Sequence, residues 1–360
     1  MVKHPRLTAL RALARKHSCT HILVSDVIDC EYLSGFHATN VQLLVSARNA
    51  LLLTDFRYQK AAEKFCRTAQ PWRLVTIKER GLGLMKELLG DQAIVGIQSD
   101  ILTVDGYDRL RRACRGVKFI KIAGEISTIA SVKLPHELKS LRRAASIGDR
   151  AYADLLKELR EGVTERETAL RLEDLCVAYG SQGPSFDTIV LFGPRSALPH
   201  GVPGKRKLRR GDWVLCDFGC RFDGLCSDMT RTAVFGQASE QQRRQYEIVR
   251  RAQANARKSV KPGVKASTVD FAARSIIEKA GHGEAFGHAT GHGVGRRVHE
   301  EPRLSKNDES ILRTNMVVTV EPGIYLADQG GVRIEDMMLL TERGARSLTS
   351  SPRNLVELQP

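Results

Sequence analysis

A chain of 360 residues, 42% hydrophobic and 27% charged, is long enough for two domains and has the balance of a folded globular protein. No apolar run approaches the ~18 residues of a membrane helix; the eight scattered cysteines form no CxxC pair, which excludes a disulfide scaffold, a zinc ribbon or a thioredoxin-type motif and fits free thiols in a reducing cytoplasm. The net charge of +15 could suit nucleic acid, but the basic residues are spread over turns and helix faces without an RNP-like or zinc-finger pattern, so a solvated basic surface is expected and nucleic acid is not.

The first 25 residues lack Asp and Glu, as an organelle transit peptide can. Leu7, Leu10, Leu13 and Ala14 instead fall at helical spacing and lead straight into HILVSDVI, which predicts an amphipathic helix and a strand. LLVSARNALLLTDFRY predicts two strands joined at Ala47 to Asn49, followed by a helix through QKAAEKF. QAIVGIQ and VKFIKIAG are further strands, separated by the helical DGYDRLRRACRG. This α/β region has no glycine-rich phosphate loop. A new regime begins near Pro135, where HELKSLRRAASIGDRAYADLLKELREG and Thr164 to Gly180 carry apolar residues at three- and four-residue intervals. The boundary is placed at about 127 to 134. Beyond it, two helices precede the strands of 185 to 236, and two more precede the strands of 285 to 343. That repeated order suggests an internally duplicated α+β domain with a site between its halves.

Within the second region GHATGHGVGRRVHEEP, residues 287 to 302, holds His288, His292 and His299 among too many glycines for an ordinary helix. Candidate partners lie on strands flanked by turns. WVLCDFGCRFDGLCSDMTRTAVF offers Asp217 and Asp228 on neighbouring strands, where a hairpin would set them face to face. MVVTVEPGIYL ends an apolar strand on Glu321, and GGVRIEDMMLL places Glu335 within another. Carboxylates embedded together in apolar strands repel one another unless a cation joins them. Two divalent ions would neutralise the four charges, with His292 as fifth ligand. Such oxygen and nitrogen donors suit Mn, Co, Fe or Zn better than copper, and Cys216 should face away from Asp217.

CDFGCRFDGLCSDMTRT, TGHGVG, VEPGIY and VRIED, with eleven residues from Asp217 to Asp228, resemble the patterns of the pita-bread metallopeptidases, which include methionine aminopeptidase, aminopeptidase P and prolidase. YLSGFHATNVQLLV and LLLTDFRY resemble the creatinase-type N-terminal domain, with His37 and Ala38 in place of a more usual Thr-Gly, and this points to the Xaa-Pro branch. The resemblance implies a creatinase-type α/β domain over 1–128 and a pita-bread α+β catalytic domain over 129–360, with a pseudo-two-fold duplication. It implies a homodimeric hydrolase with two divalent metal ions, manganese foremost, acting on peptides with proline at the second position, while the free thiols point to a cytoplasmic location.

By the same resemblance, Asp217 chelates one ion, Asp228 and Glu335 bridge both, and His292 and Glu321 complete the second site. Ions ~3.5–4 Å apart can activate a bridging water. Glu321 takes the water's proton and passes it to the proline nitrogen. His200, in SFDTIVLFGPRSALPHG, and His299 contact the substrate carbonyl and stabilise the oxyanion. His288 lies near the proline ring, while Tyr325 and Arg333 orient a proton path and Arg333 touches substrate. Creatine amidinohydrolases share both domains but resemble the family without the five ligands. Relatives that lost ligands and bind RNA or protein are a remote alternative. Between aminopeptidase P and prolidase the expectation leans to the aminopeptidase, because no arginine apart from Arg333 stands out as a clamp for a proline carboxylate.

Overall fold

The computed structural model describes residues 4–77 and 81–359, which fall into two compact units, Met1–Ala130 and Ser131–Pro360. The first unit opens with α1 (Pro5–Lys16), β1 (His21–Val24), α2 (Val27–Ser34), β2 (Val41–Ser46), β3 (Ala50–Thr54) and α3 (Gln59–Thr68). It continues with β4 (Trp72–Thr76), α4 (Gly81–Leu89), β5 (Ile94–Ile97), α5 (Val104–Ala113), β6 (Lys118–Lys121) and α6 (Glu125–Ser131). The strands form one sheet in the order β4-β3-β2-β1-β5-β6, antiparallel where β2 meets β1 and β3 and parallel elsewhere.

Successive strand residues point to opposite faces, and here both faces are covered. Ile22, Val24, Leu43, Val45 and Leu52 pack with Leu7, Leu10, Leu33 and Ala62 of α1 to α3. Leu23, Leu44, Leu53 and Val95 pack with Met85, Leu89 and Leu110 of α4 and α5. Burial on both sides requires apolar residues at consecutive positions, which is why these strands read as unbroken runs. The run HILVSDVI is nevertheless divided. Asp26 caps α2 by accepting from the Ile28 and Asp29 amides, so Val27 and Ile28 belong to a helix.

The second unit states one order of elements twice. First come α7 (Pro135–Glu158), α8 (Glu165–Ala178), β7 (Ile189–Phe192), a 3₁₀ turn (Gly193–Ala197), β8 (Trp213–Phe218), β9 (Arg221–Phe222), β10 (Leu225–Cys226) and β11 (Met229–Phe235). Then come α9 (Glu240–Ser259), α10 (Ala266–Lys279), β12 (Gly291–Gly293), β13 (Glu300–Leu304), β14 (Val317–Val320), β15 (Gly323–Leu326), β16 (Gly330–Arg333), β17 (Asp336–Thr341), β18 (Gly344–Ser347) and β19 (Glu357–Leu358). Reciprocal side-chain caps start α8, through Thr164 and Glu167, and α9, through Ser239 and Gln242.

One sheet runs β19-β11-β8-β7 and a second β13-β12-β14-β17-β18, with β15–β16 and β9–β10 as two-stranded ribbons. Ile147, Ala151, Leu155 and Leu172 of α7 and α8 pack on Val190, Val214, Phe218 and Ala233 of the first sheet. Val249, Ala256, Val269 and Ile277 of α9 and α10 pack on Val318, Val320, Met338 and Leu340 of the second. Among the described residues, no helix is long and apolar enough to cross a membrane.

Two strand placements differ from expectation. Asp217 lies opposite Thr230, not Asp228, because β11 begins at Met229 opposite Phe218 and Asp228 belongs to the segment leading into it. Glu335 does not sit within a continuous strand. β16 pairs with β15 up to Arg333, opposite Gly323, and β17 pairs with β14 from Asp336, opposite Val320, so the chain changes partners at Ile334 and Glu335.

Candidate metal centre

Carboxylates and an imidazole converge from both halves of the second unit. Asp217 lies on β8, Asp228 just ahead of β11, His292 on β12, Glu321 just after β14 and Glu335 between β16 and β17. The glycines beside His292 are required by close approach. A Cβ on Gly291 would lie 2.0 Å from the Thr319 carbonyl oxygen, and one on Gly293 would lie 2.3 Å from that of Glu301. β12 fits between its neighbours because those positions are bare, which leaves the imidazole of His292 as the side chain that projects.

Ligand atoms of Asp228, His292 and Glu335 lie within 4.8 Å of one another. His292 Nε2 is 3.6 Å from Asp228 Oδ2 and 3.1 Å from Glu321 Oε1. His292 Nδ1 donates to the Gly293 carbonyl at 3.0 Å, so Nε2 is the nitrogen turned to the carboxylates, as in metal-binding histidines held by a backbone carbonyl. Burial, and then the neighbouring carboxylates, push Asp228 and Glu335 well above the usual range. Burial also raises Asp217, against the pull of Arg333. Glu321 is opposite in sign: burial pushes it up, but the hydrogen bond with His292 and the charges of His292, His288 and Arg333 bring it down to about 2.

Asp217 Oδ1 and Glu335 Oε1 are buried without a hydrogen-bond partner among the described residues. Such orphaned oxygens within a cluster of mutually repelling carboxylates fit a bound divalent cation, which would partner the oxygens and offset the repulsion. The donor set is oxygen and nitrogen. Cys216 turns away from it, into the core with Val214 and Phe218.

Two threonines absent from the predicted set brace these candidate ligands. Thr230 Oγ1 donates to Glu335 Oε2 at 2.7 Å and accepts from Arg333 Nε at 2.8 Å. Thr319 Oγ1 donates to Glu321 Oε1 at 3.0 Å and accepts from the His292 amide at 3.0 Å. Each is two positions from a candidate ligand, Thr230 after Asp228 and Thr319 before Glu321, with the threonine inside the strand and the carboxylate just beyond its end.

Arg333 is 3% exposed, and the nitrogens beyond Nε also have partners: Nη1 donates to Tyr325 Oη at 2.7 Å and Nη2 to Asp217 Oδ2 at 2.5 Å. Tyr325 Oη is also 2.9 Å from His288 Nε2. His288 Nδ1 faces the Ala289 carbonyl at 2.8 Å and therefore carries a hydrogen, while burial lowers its pKa. In the neutral ring Nε2 accepts from the Tyr325 hydroxyl. Arg333 and His288, expected against substrate, are thus engaged with each other through Tyr325. The His299 ring lies 4.4 Å from that of His292, centroid to centroid, and burial followed by the His292 charge lowers its pKa. His200 stands exposed on the turn after the 3₁₀ segment, near enough for its charge to lower both His288 and His299. Arg303, exposed on β13 directly opposite His292, had no local signal, since the pairing of β12 with β13 brings it there.

The pattern of metallopeptidase family M24 matches residues 139–342, and that of the Creatinase/Prolidase N-terminal domain matches residues 6–132. The chain belongs to metallopeptidase family M24. This M24 chain is 36% identical over 353 residues to the Xaa-Pro dipeptidase of Pyrococcus furiosus, which covers 98% of the chain and 99% of that protein. The solved Xaa-Pro dipeptidase from Bacillus anthracis matches with a TM-score of 0.93 at 35% identity, over 98% of this chain and 99% of that one. The X-Pro aminopeptidase from Thermotoga maritima matches with a TM-score of 0.86 at 33% identity, over 96% and 99%. The chain is accordingly a metallo-exopeptidase of the Xaa-Pro type, with a pita-bread catalytic domain and a creatinase-type first domain, and its chemistry uses divalent metal ions.

Proposed function

We propose that this M24 member is an Xaa-Pro dipeptidase, cleaving the bond between an N-terminal residue and a C-terminal proline. Convergence of Asp228, His292 and Glu335 beside the orphaned oxygens of Asp217 and Glu335 is the observation that carries the chemistry. The preference for dipeptides replaces the lean to an aminopeptidase. It is supported by the names of the relatives in Pyrococcus and Bacillus and by Arg303, an exposed residue in register with His292 across β12 and β13, where a proline carboxylate could be met. Arg333, the arginine considered from sequence, has its nitrogens occupied.

Asp217, Asp228, His292, Glu321 and Glu335 would hold two ions, with manganese the first choice. Bound ions supply Lewis acidity and a water of lowered pKa. Glu321, steadied by Thr319, accepts the water's proton and delivers it to the proline nitrogen. That nitrogen belongs to a tertiary amide and has no hydrogen, so it must be protonated to leave. His299, kept neutral by its lowered pKa, and His200 offer N–H donors to the oxyanion. The chain from Asp217 through Arg333 and Tyr325 to His288 fixes the orientation of Asp217.

The test compares the manganese-loaded protein on Ala-Pro and Ala-Pro-Ala, following released alanine. The expected result is turnover of Ala-Pro with little or none of the tripeptide. Faster cleavage of Ala-Pro-Ala would make the protein an aminopeptidase and refute the dipeptide reading.

A further inference from the structure

His200 sits near the tip of an excursion that leaves β7 and returns to the start of α8. The returning arm pairs with residues 162 to 166: Glu165 N donates to Arg206 O at 3.1 Å, Arg166 N to Gly204 O at 3.1 Å and Leu208 N to Val163 O at 2.8 Å. The Glu165 carboxylate, whose side chain is 0% exposed, lies between the two feet of the excursion. Its Oε1 accepts from the Phe192 amide at 2.9 Å on the outgoing side, and its Oε2 accepts from the Gly204 amide at 2.9 Å on the return. Arg195 Nε donates to both oxygens at 3.0 Å, and Arg195 Nη2 reaches the Val202 carbonyl at 2.7 Å. At the tip, Gly201 packs so closely that a Cβ there would lie 2.7 Å from Leu191 Cδ1. Ser196 Oγ accepts from the Gly331 amide at 2.7 Å, tying the outgoing arm to the strand that carries Arg333.

A buried carboxylate is costly unless paired and fully hydrogen-bonded. This one is, and its partners are the two feet of the loop that presents an exposed histidine. We infer that Glu165 is the positioning residue for His200, clamping both ends of the 193–203 excursion so that the imidazole is held at the reacting carbonyl; this rests on the reading of His200 as an oxyanion donor. Glu165 is not among the clustered candidate ligands, and its effect on turnover is assigned to the placement of His200. A misplacement of about 1 Å in a catalytic group can cost ~100-fold in rate.

A double-mutant cycle tests this on the full-length, manganese-loaded enzyme with Ala-Pro, using Glu165→Gln, His200→Ala and the pair, with metal content and circular dichroism measured alongside. Glutamine keeps the size of the side chain but turns an amide N–H toward one of the two backbone amides. Each single variant should lower kcat by roughly 10- to 100-fold with a smaller change in KM and unchanged metal content. The double variant should be no slower than His200→Ala. Losses that multiply would overturn the inference while leaving the reading of His200 intact. A wild-type rate in His200→Ala would remove His200 from the reaction and the inference with it. Should Glu165→Gln fail to fold, Arg195→Met decides. Arg195 is 38% exposed and its removal leaves both backbone bonds to Glu165 in place, so the same non-additivity with His200→Ala is expected and multiplied losses would overturn the proposal.

Discussion

Asp228 and His299 both lie against His292 and differ in what their loss should do. Asp228 is 5% exposed, pushed upward by burial and by three other carboxylates, and shares its space with His292 Nε2 and Glu335. Asp228→Ala should abolish metal binding and turnover together. His299 is exposed and touches the ring of His292 edge to face, so His299→Ala should retain the metal and lower kcat by roughly 100-fold or more, the effect of removing an oxyanion donor. Metal analysis and steady-state kinetics on both variants check the contrast; a metal-replete Asp228→Ala, or a His299→Ala at the wild-type rate, contradicts it. The five candidate ligands stand out in the sequence because each lies within a few residues of its own signal: TGHG, EPG, or an acid in an apolar run. The sequence did not reveal that Tyr325 bonds His288, that Arg333 is taken up by Thr230, Tyr325 and Asp217, or that Arg303 falls in register with His292. Each of these pairs is made by strand register or by folding of distant segments, and nothing local encodes either.

At the scale of elements, buried ion pairs pin the segments that carry His288 and His299. Arg274 of α10, paired with Asp270, donates to the carbonyls of Phe286 and His288 at 2.8 Å each, and Asp270 accepts from Thr290 Oγ1 at 2.9 Å. Lys133, 1% exposed, meets Glu300 at 2.6 Å, beside His299. Arg231 of β11 makes the largest such joint. It donates to the carbonyls of Thr230 at 2.9 Å, Ser351 at 2.8 Å and Pro352 at 3.0 Å, to that of Glu335, and to Asp336 Oδ1 of β17 at 2.8 Å. Burial works to raise Asp336, but Arg231, Arg353 and Arg257 hold it below the usual carboxylate range. This joint ties β11 of one sheet to β17 of the other, next to Glu335. Arg231→Met should cost ~3 kcal/mol, since it strips donors from buried acceptors and leaves Asp336 with fewer cations. In a unit of this size that is a fall of roughly 10 °C in Tm by calorimetry. The exposed Arg244, paired with Glu240 on one face of α9, provides a control whose Tm should not move; equal Tm values for the two variants would show that the buried joint is dispensable. The helices and most strands were legible from periodicity and caps. The break of GGVRIEDMMLL into β16 and β17 was not, because an unbroken apolar run conceals a change of strand partner.

For the whole molecule, the division into Met1–Ala130 and Ser131–Pro360 separates two sets of cores, and every candidate ligand lies in the second. A cation that binds the folded second unit stabilises that unit alone, by about 2.7 kcal/mol at a free concentration 100 times Kd, or roughly 5–10 °C in Tm. The carboxylates give this increment a pH dependence whose sign follows from their shifts. Asp228 and Glu335 have folded pKa values raised above those of the unfolded chain, so the chelated protein bears a penalty above the folded pKa values that is relieved as pH falls. The same protons compete with the metal for the ligands. In calorimetry of the chelated protein, the transition of the second unit should therefore move upward as pH falls from 8 toward the ordinary carboxylate range, and the gain on adding manganese should be larger at pH 8 than at the acid end. The transition of the first unit should ignore the metal at both values. One transition moving as a whole would mean that the two units unfold cooperatively, and an equal gain at both pH values would mean that the carboxylates are ionised throughout, as partners of a cation such as Arg333 rather than as a repelling cluster that only a divalent ion relieves.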